Sequence, residues 1–191
     1  MPKIVNHAKY REEMILGSFE LFSKKGFNNI TMREIAAELN VSTGALYHYF
    51  PTKKSIFEQM MTYIVDQDLK RLREATDSTE SPEERMMKAG ELIENNKKYY
   101  QNMLLLALDY FRHQPELDTE VMLNKFAKYY IETIASQLDL PDNFGAIIFC
   151  WLIGLTYADL LCPELISGND QFEMVTNVMR KMREYSSKNK K

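Results

Sequence analysis

Apolar residues recur every three or four positions along almost the whole of this 191-residue chain, the spacing of helices that bury one face. Only seven glycines and six prolines interrupt the pattern, which predicts an all-α protein. Met14, Ile15, Ser18, Phe19, Leu21 and Phe22 mark the apolar face of a first helix ending at Lys24-Lys25-Gly26. Two cations in the last turn followed by glycine make an ordinary helix stop. Thr31 and Glu34 have capping-box spacing and open a short second helix, Met32 to Leu39, that buries Ile35, Ala36 and Leu39. Asn40 tolerates the left-handed conformation that a tight turn needs. Ser42 or Thr43 then caps a very short third helix ending near Phe50-Pro51.

A long fourth helix, Thr52 to about Ala75, carries Ile56, Met60, Tyr63 and Ile64 on one side, and Asp77 to Ser81 reads as a polar linker. Ser81-Pro82-Glu83-Glu84 is a strong start signal: an N-cap, proline at the first helical position and two acids in the first turn. Further helices are predicted over Glu83 to Lys98, Tyr100 to His113, Glu116 to Leu138, Asn143 to Leu161 and Asp170 to Tyr185. Breaks fall at Pro115, at Leu140-Pro141-Asp142 and from Cys162-Pro163 through Gly168, and Ser186 to Lys191 reads as a frayed tail. Ile147 to Ile153 is apolar on every side, so that helix is either central to its own domain or shared with another subunit. In the last helix Phe172, Val175, Met179 and Met182 form a stripe flanked by Met174, Val178 and Tyr185.

Composition sharpens this picture. With 45% hydrophobic and 27% charged residues the chain is an ordinary globular one, long enough to bury a core without a metal or disulfide staple. Cys150 and Cys162 lie twelve positions apart on one helical stretch that ends at Cys162, about 18 Å apart at the helical rise and too far to bridge, and suggest a reducing compartment. No apolar run near the start makes a signal peptide, and Phe144 to Ala158 is short for a membrane span, so a cytoplasmic protein without a membrane partner is expected. The formal charge of −3 argues against nucleic acid until it is divided. Residues 1–54 hold eight Lys and Arg against five acids: a basic segment of +3 on a remainder of −6.

Short helices joined by Asn40-Val41-Ser42 make a helix-turn-helix over about residues 31–50. In the third helix Leu46 and Phe50 share the buried side, which turns Tyr47 and His48 outward. Thr43, Gly44 and Ala45 are small, so the start of this helix can approach DNA closely, as the N-terminus of a recognition helix must. Thr and Ala methyl groups can meet a thymine methyl, and Tyr47 and His48 offer hydrogen bonds to phosphates or bases. The string Gly26-Phe27, Thr31, Ile35-Ala36, Val41-Ser42, Gly44-Ala45-Leu46-Tyr47, Tyr49-Phe50 and Lys53, with Phe57 beyond, resembles the N-terminal domain of the TetR/AcrR family of bacterial regulators. The match covers about residues 10–58. Asn40 departs from it, standing where the family usually has glycine, and fits the same backbone.

The resemblance implies that Thr31 binds a backbone phosphate, that Arg33 reaches a base or phosphate, and that Ser42, Thr43, Gly44 and Ala45 sit at the groove. Tyr47 and His48 would contact phosphate and base, and Lys53 would clamp a phosphate at the start of the fourth helix. Helix N-termini favour phosphate on independent grounds. The domains expected are a helix-turn-helix domain over 1–54 and a C-terminal helical bundle over 55–191 for ligand binding and dimerisation, linked by the helix 52–75.

Aromatic and methionine residues at core-like spacing fill the helices from Glu83 onward. Most are ordinary core, but a pocket between bundle helices would be lined the same way. Tyr99, Met103, Asp109, Tyr110, His113, Phe126, Tyr130 and Trp151 are the candidate ligand-binding residues. The excess apolar surface of the last two helices implies a homodimer through a four-helix bundle, as in TetR-like proteins, reading a palindromic site on double-stranded DNA. No metal-ligand spacing, phosphate-cradling glycine loop or linked nucleophile is present, so neither an enzyme nor a bound cofactor or metal is expected. The expected function is a ligand-responsive repressor with a small hydrophobic effector, apolar or aromatic; the alternatives are a nucleoid-associated or structural DNA-binding protein without an inducer, or an activator.

Overall fold

A computed structural model describes residues 7–76, 81–114, 117–164 and 167–188. Residues 77–80 of the expected linker, Pro115 and Glu116, 165–166 in the last break, the end of the tail (189–191) and the side chains of Met182 and Tyr185 lie outside the described residues. The described residues form nine helices: α1 (His7–Lys25), α2 (Met32–Glu38), α3 (Thr43–Tyr49), α4 (Lys53–Thr76), α5 (Pro82–Asn95), α6 (Lys97–His113), α7 (Leu117–Gln137), α8 (Asp142–Leu161) and α9 (Gly168–Lys188). They follow the predicted order with small shifts. The boundary between α5 and α6 falls at Asn96, whose side-chain amide donates to the Leu92 carbonyl at 2.8 Å and closes α5 early. The last helix runs into the stretch read as tail.

Local chemistry accounts for the first elements. Gly26 ends α1 with φ 77°, its N–H donating to the Phe22 carbonyl at 2.7 Å. Thr31 and Glu34 form the capping box of α2. Asn40 adopts φ 52° in the turn to α3, and Ser42 is the N-cap of α3, accepting from Ala45 N–H at 3.0 Å.

The chain divides into two compact units at other places than residue 54. The first comprises residues up to Gln67 together with Leu105–Glu120, and the second comprises Asp68–Leu104 and Val121 onward. The division corrects the expected 1–54 and 55–191: it falls inside α4 and α6, so each of these helices gives one part to each unit. The physical reason lies in Tyr110. It is fully buried, stacked on Phe57 at 4.0 Å between centroids and set edge-on against Phe27 at 4.8 Å. With Phe22, also edge-on to Phe57, these rings form the centre of the first unit, and Ile35, Leu46, Phe50, Ile56 and Met60 are fully buried there too.

The second unit has its own core of Met86, Ile134, Leu138, Ile148, Leu155 and Phe172, against which Trp151, Val175 and Met179 pack. Gly90 of α5 makes room for Phe172 of α9, since a Cβ there would lie 2.6 Å from the ring. Gly145 of α8 likewise lies close against α7, where a Cβ would meet the Ile131 carbonyl at 2.6 Å. α8 is not central to the unit. Only some of its residues are buried, while Ile147, Tyr157 and Leu161 are mostly exposed. It is the one described helix long and apolar enough, by length and composition, to cross a membrane. Ile148 and Leu155 nevertheless pack in the core, and its buried Asp159 accepts from Gln101 Nε2 at 2.6 Å and pairs with Lys97.

Candidate nucleic-acid interface

The surface that can meet DNA is built on α2 and α3. Leu46 and Phe50 anchor α3 with no exposed area, and Tyr47 and His48, which follow Leu46 directly and so point round the helix from it, are exposed. Gly44 faces open space: a Cβ added there would have no neighbour within 4 Å. Thr43 and Ala45 are half-buried and Ser42 exposed. The Ser42 hydroxyl serves the helix as its cap, which fixes the start of α3 from within. Arg33 is exposed on α2. Thus Arg33, Ser42, Gly44, Tyr47 and His48 share an accessible region raised on a rigid core.

Two other positions are engaged within the unit. The Thr31 hydroxyl accepts from Glu34 N–H at 3.3 Å and donates to Glu34 Oε2 at 2.9 Å. The Glu34 carboxyl is held below its ordinary range, first by the backbone N–H of Thr31, then by its hydroxyl and by Lys25, whose ammonium lies 3.2 Å away. A carboxylate therefore already sits at the start of α2, where a phosphate was expected. Lys53 is the clearer departure. Its ammonium donates to the Phe27 carbonyl at 2.8 Å and the Asn28 carbonyl at 3.3 Å, and lies 4.5 Å from the centre of the Phe27 ring. Burial lowers its pKa, opposed by the charges of Asp109 and Glu34. Lys53, expected at a phosphate, is turned inward here because two backbone carbonyls and a ring offer a ready-made cation site.

Sequence reasoning missed the residues that brace α3. Tyr49 has its hydroxyl 2.5 Å from His7 Nδ1 and its ring edge-on to Tyr10 at 5.6 Å, while the Arg11 guanidinium lies 5.5 Å from the Phe50 ring centre and bonds Gln59. The only available signal was the run of polar and aromatic residues at the start of α1, which carries no motif.

The candidate ligand residues separate. Asp109, Tyr110 and His113 belong to the first unit and do not line the bundle: Tyr110 is core, Asp109 Oδ2 accepts from Phe27 N–H at 2.7 Å, and His113 Nδ1 lies 3.1 Å from Asp109 Oδ1. That corrects their assignment to the ligand set; their i, i+4 spacing on a helix was legible, but the surface they face was not. Tyr99 and Tyr130 do converge. Their hydroxyls donate to the two oxygens of the buried Asp68 at 2.9 and 3.1 Å, and Arg71 approaches the same carboxylate at 3.3 Å. Burial raises the Asp68 pKa against these partners and also raises the pKa values of Tyr99, Tyr100 and Tyr130. Tyr130 further stacks with Phe149. Trp151 packs edge-on against Phe172 at 5.0 Å, Phe126 is buried and Met103 is half-buried. Among the described residues no group of three or more His, Cys, Asp or Glu side chains is placed to hold a metal ion.

Residues 15–60 match the model of the bacterial regulatory proteins of the tetR family. Over 75 residues the chain is 35% identical to the uncharacterised HTH-type transcriptional regulator YuxN of Bacillus subtilis, covering 39% of this chain and 26% of that one. Over 90 residues it is 30% identical to the HTH-type transcriptional repressor KstR2 of Mycobacterium tuberculosis, covering 45% of each. The matched segment thus spans less than half the length of these relatives. Similarity of fold reaches further. The reduced form of Escherichia coli NemR superposes with a TM-score of 0.77 at 16% identity, covering 88% of this chain and 96% of that one. Bacillus subtilis FadR in complex with stearoyl-CoA superposes with a TM-score of 0.68 at 16% identity, covering 87% and 96%. The matched relatives are named as transcriptional regulators, and residues 15–60 of this chain are similar to the tetR-family regulatory proteins, on a fold shared with NemR and FadR.

Proposed function

We propose that this protein is a ligand-responsive transcriptional repressor that binds a palindromic operator as a homodimer in the cytoplasm. The observation that carries the reading is the face of α3, where Tyr47 and His48 stand exposed and Gly44 is open on a helix whose other side is fully buried. A recognition helix needs this arrangement to enter the major groove at its N-terminal end. Arg33, Ser42, Thr43, Gly44, Ala45, Tyr47 and His48 are the residues assigned to DNA. Repression is supported by the name of the KstR2 relative.

The homodimer is supported by α8. Ile147, Cys150, Gly154, Tyr157 and Leu161 are exposed and follow one another at alternating three- and four-residue steps, the spacing of a helix seam. Gly154 leaves open space in the middle of this seam, where a second helix could come close. A two-fold dimer would set two recognition helices about 34 Å apart or a multiple of that, matching a palindrome. The effector is taken to be small and apolar or aromatic, bound between helices of the second unit, in keeping with the stearoyl-CoA of the FadR complex. Its effect on DNA must be reciprocal: operator weakens effector binding by the same factor as effector weakens operator binding.

Selection of duplexes from a random library by the purified protein tests this. A two-fold symmetric sequence is expected, with Tyr47→Ala and His48→Ala each lowering affinity for it by about tenfold. Failure to enrich any sequence, or affinity unchanged in both variants, would overturn the assignment. Sedimentation velocity tests the dimer: Ile147→Asp with Tyr157→Asp should yield a folded monomer.

A further inference from the structure

We propose that the first described residues of α1 belong to the DNA-binding surface: His7, docked on Tyr49 next to His48, meets a backbone phosphate and ties affinity for DNA to pH. The inference rests on the reading of α3 as a recognition helix and extends its surface to a second element. Tyr49 closes α3 and is half-buried. Three rings pack on it from two helices. From α1 come His7, at 6.0 Å between centroids, and Tyr10, at 5.6 Å; from α3 itself comes His48, at 5.2 Å. The two imidazoles therefore share one tyrosine ring, and both are exposed. His48 stands on the face already assigned to DNA, so His7 continues that face onto α1.

The stretch that carries His7 suits an anion. Lys9 and Arg11 are exposed beside it, and the chain has no acidic residue before Glu12. The carboxylates that follow are turned elsewhere: Glu12 accepts from the Tyr63 hydroxyl of α4 at 2.6 Å, and Glu13 lies 4.0 Å from Lys9. Arg11, one turn beyond His7, sets its guanidinium 5.5 Å from the Phe50 ring centre and bonds Gln59 of α4. It thereby fastens α1 to the end of α3 where His7 sits. The titratable groups around the imidazole are thus Lys9, Tyr10 and Arg11 on its own helix, and His48 and Tyr49 on α3. Its two nitrogens divide the work. Nδ1 lies 2.5 Å from the Tyr49 hydroxyl, and a hydroxyl both donates and accepts, so this contact holds in either charge state. In the charged ring Nδ1–H donates to the hydroxyl oxygen, and Nε2–H remains as donor to a phosphate oxygen. A phosphate favours that charged form, so binding takes up a proton and affinity rises as pH falls through the histidine range. Tyr49 is the positioning residue, since it holds the ring by one nitrogen and leaves the other outward.

The test uses the full chain with two probes: the duplex it selects from a random library, and a random-sequence duplex at low salt, since a phosphate contact needs no particular sequence. Wild-type affinity for both is expected to rise as pH falls from about 8 to about 5.5. His7→Asn keeps a side-chain amide near the Tyr49 hydroxyl and removes the titratable ring. It should lower affinity by about tenfold at the acidic end, the effect of one unit of pKa, and by less at the alkaline end. At the acidic end it should also reduce the slope of log affinity against log salt by about 0.9. Tyr49→Phe, which keeps the ring but lets go of His7, should weaken the pH dependence in the same direction. A pH dependence that survives whole in His7→Asn and vanishes in His48→Asn would overturn the proposal. So would an equal loss at both ends of the pH range in His7→Asn, the mark of a residue that only braces α3. Failure to select any duplex would break the operator reading alone, because the random-sequence duplex still reports the contact; binding of neither probe would overturn both.

Discussion

The two units bury opposite things. The first packs aromatic rings into its centre and, among its described residues, buries one polar side chain, Ser18, whose hydroxyl donates to the Met14 carbonyl at 2.7 Å. The second buries Asp68, Thr76, Gln101, Thr133, Asp159 and Thr176, and leaves α8 with an apolar face in solvent. Buried polar groups are costly unless paired, and exposed apolar patches mark places where something else is meant to bind. The first unit has an aromatic centre with almost no polar group in it, although Leu16, Leu105, Leu108 and Phe111 are exposed on its outside. The second keeps paired polar groups inside, around Asp68, and exposed apolar residues outside, along α8.

The sharpest way to break this comparison is to attack the ring cluster from α6. Tyr110→Ala should destabilise the first unit by about 3–5 kcal/mol, the usual cost of deleting a buried aromatic, and hydrogen exchange should accelerate in α1 and α4 more than in α5 or α9. Acceleration confined to the second unit would mean that α6 had been assigned to the wrong side. Next comes the contact of α5 with α9. Gly90→Val forces a side chain into the Phe172 ring and should cost about 1–3 kcal/mol by overpacking, read from urea midpoints; no loss would show that the two helices are free to part.

A smaller effect separates the buried acid from ordinary surface carboxylates. Because burial raises the Asp68 pKa in the folded state, the folded protein holds that proton more tightly than the unfolded chain does. Its contribution is therefore complete below the ordinary Asp value and is lost as pH rises through the raised value. The stability of the wild type relative to Asp68→Asn should fall as pH rises from the ordinary Asp value through the raised one, in urea titrations. A difference that is flat, or that grows with pH, would show that Tyr99, Tyr130 and Arg71 outweigh the desolvation. The smallest effect is at the α3 cap: Ser42→Ala should cost about 1 kcal/mol of thermal stability while the second unit melts unchanged.

What could be read from the residues differs between the units for the same reason. The helix-turn-helix is short and local: Thr31 with Glu34, Asn40 at positive φ and Leu46 with Phe50 as anchors are all set within a few positions of one another, so spacing alone located them and narrowed the α3 cap to Ser42 or Thr43, of which the structure shows Ser42. The aromatic residues of the bundle have the same spacing whether they line a pocket, fill a core or brace a neighbour. That is why Tyr99 and Tyr130, which meet on Asp68, could not be told from Tyr110, which belongs with Phe57. Nor did sequence separate the two readings of α8, since an evenly apolar helix looks alike at the centre of a domain and at its surface.

The chain by itself determined nine helical segments in their order, the caps that start α2 and α5 and the face that α3 turns outward, because each depends on periodicity or on contacts within a turn or two. Tertiary structure decided the rest. It gave Asp109 and Tyr110 to the first unit across more than eighty residues of sequence from Phe27, turned Lys53 onto backbone carbonyls and left one side of α8 exposed. These outcomes depend on which surfaces meet once the helices pack, and no local pattern of residues encodes that.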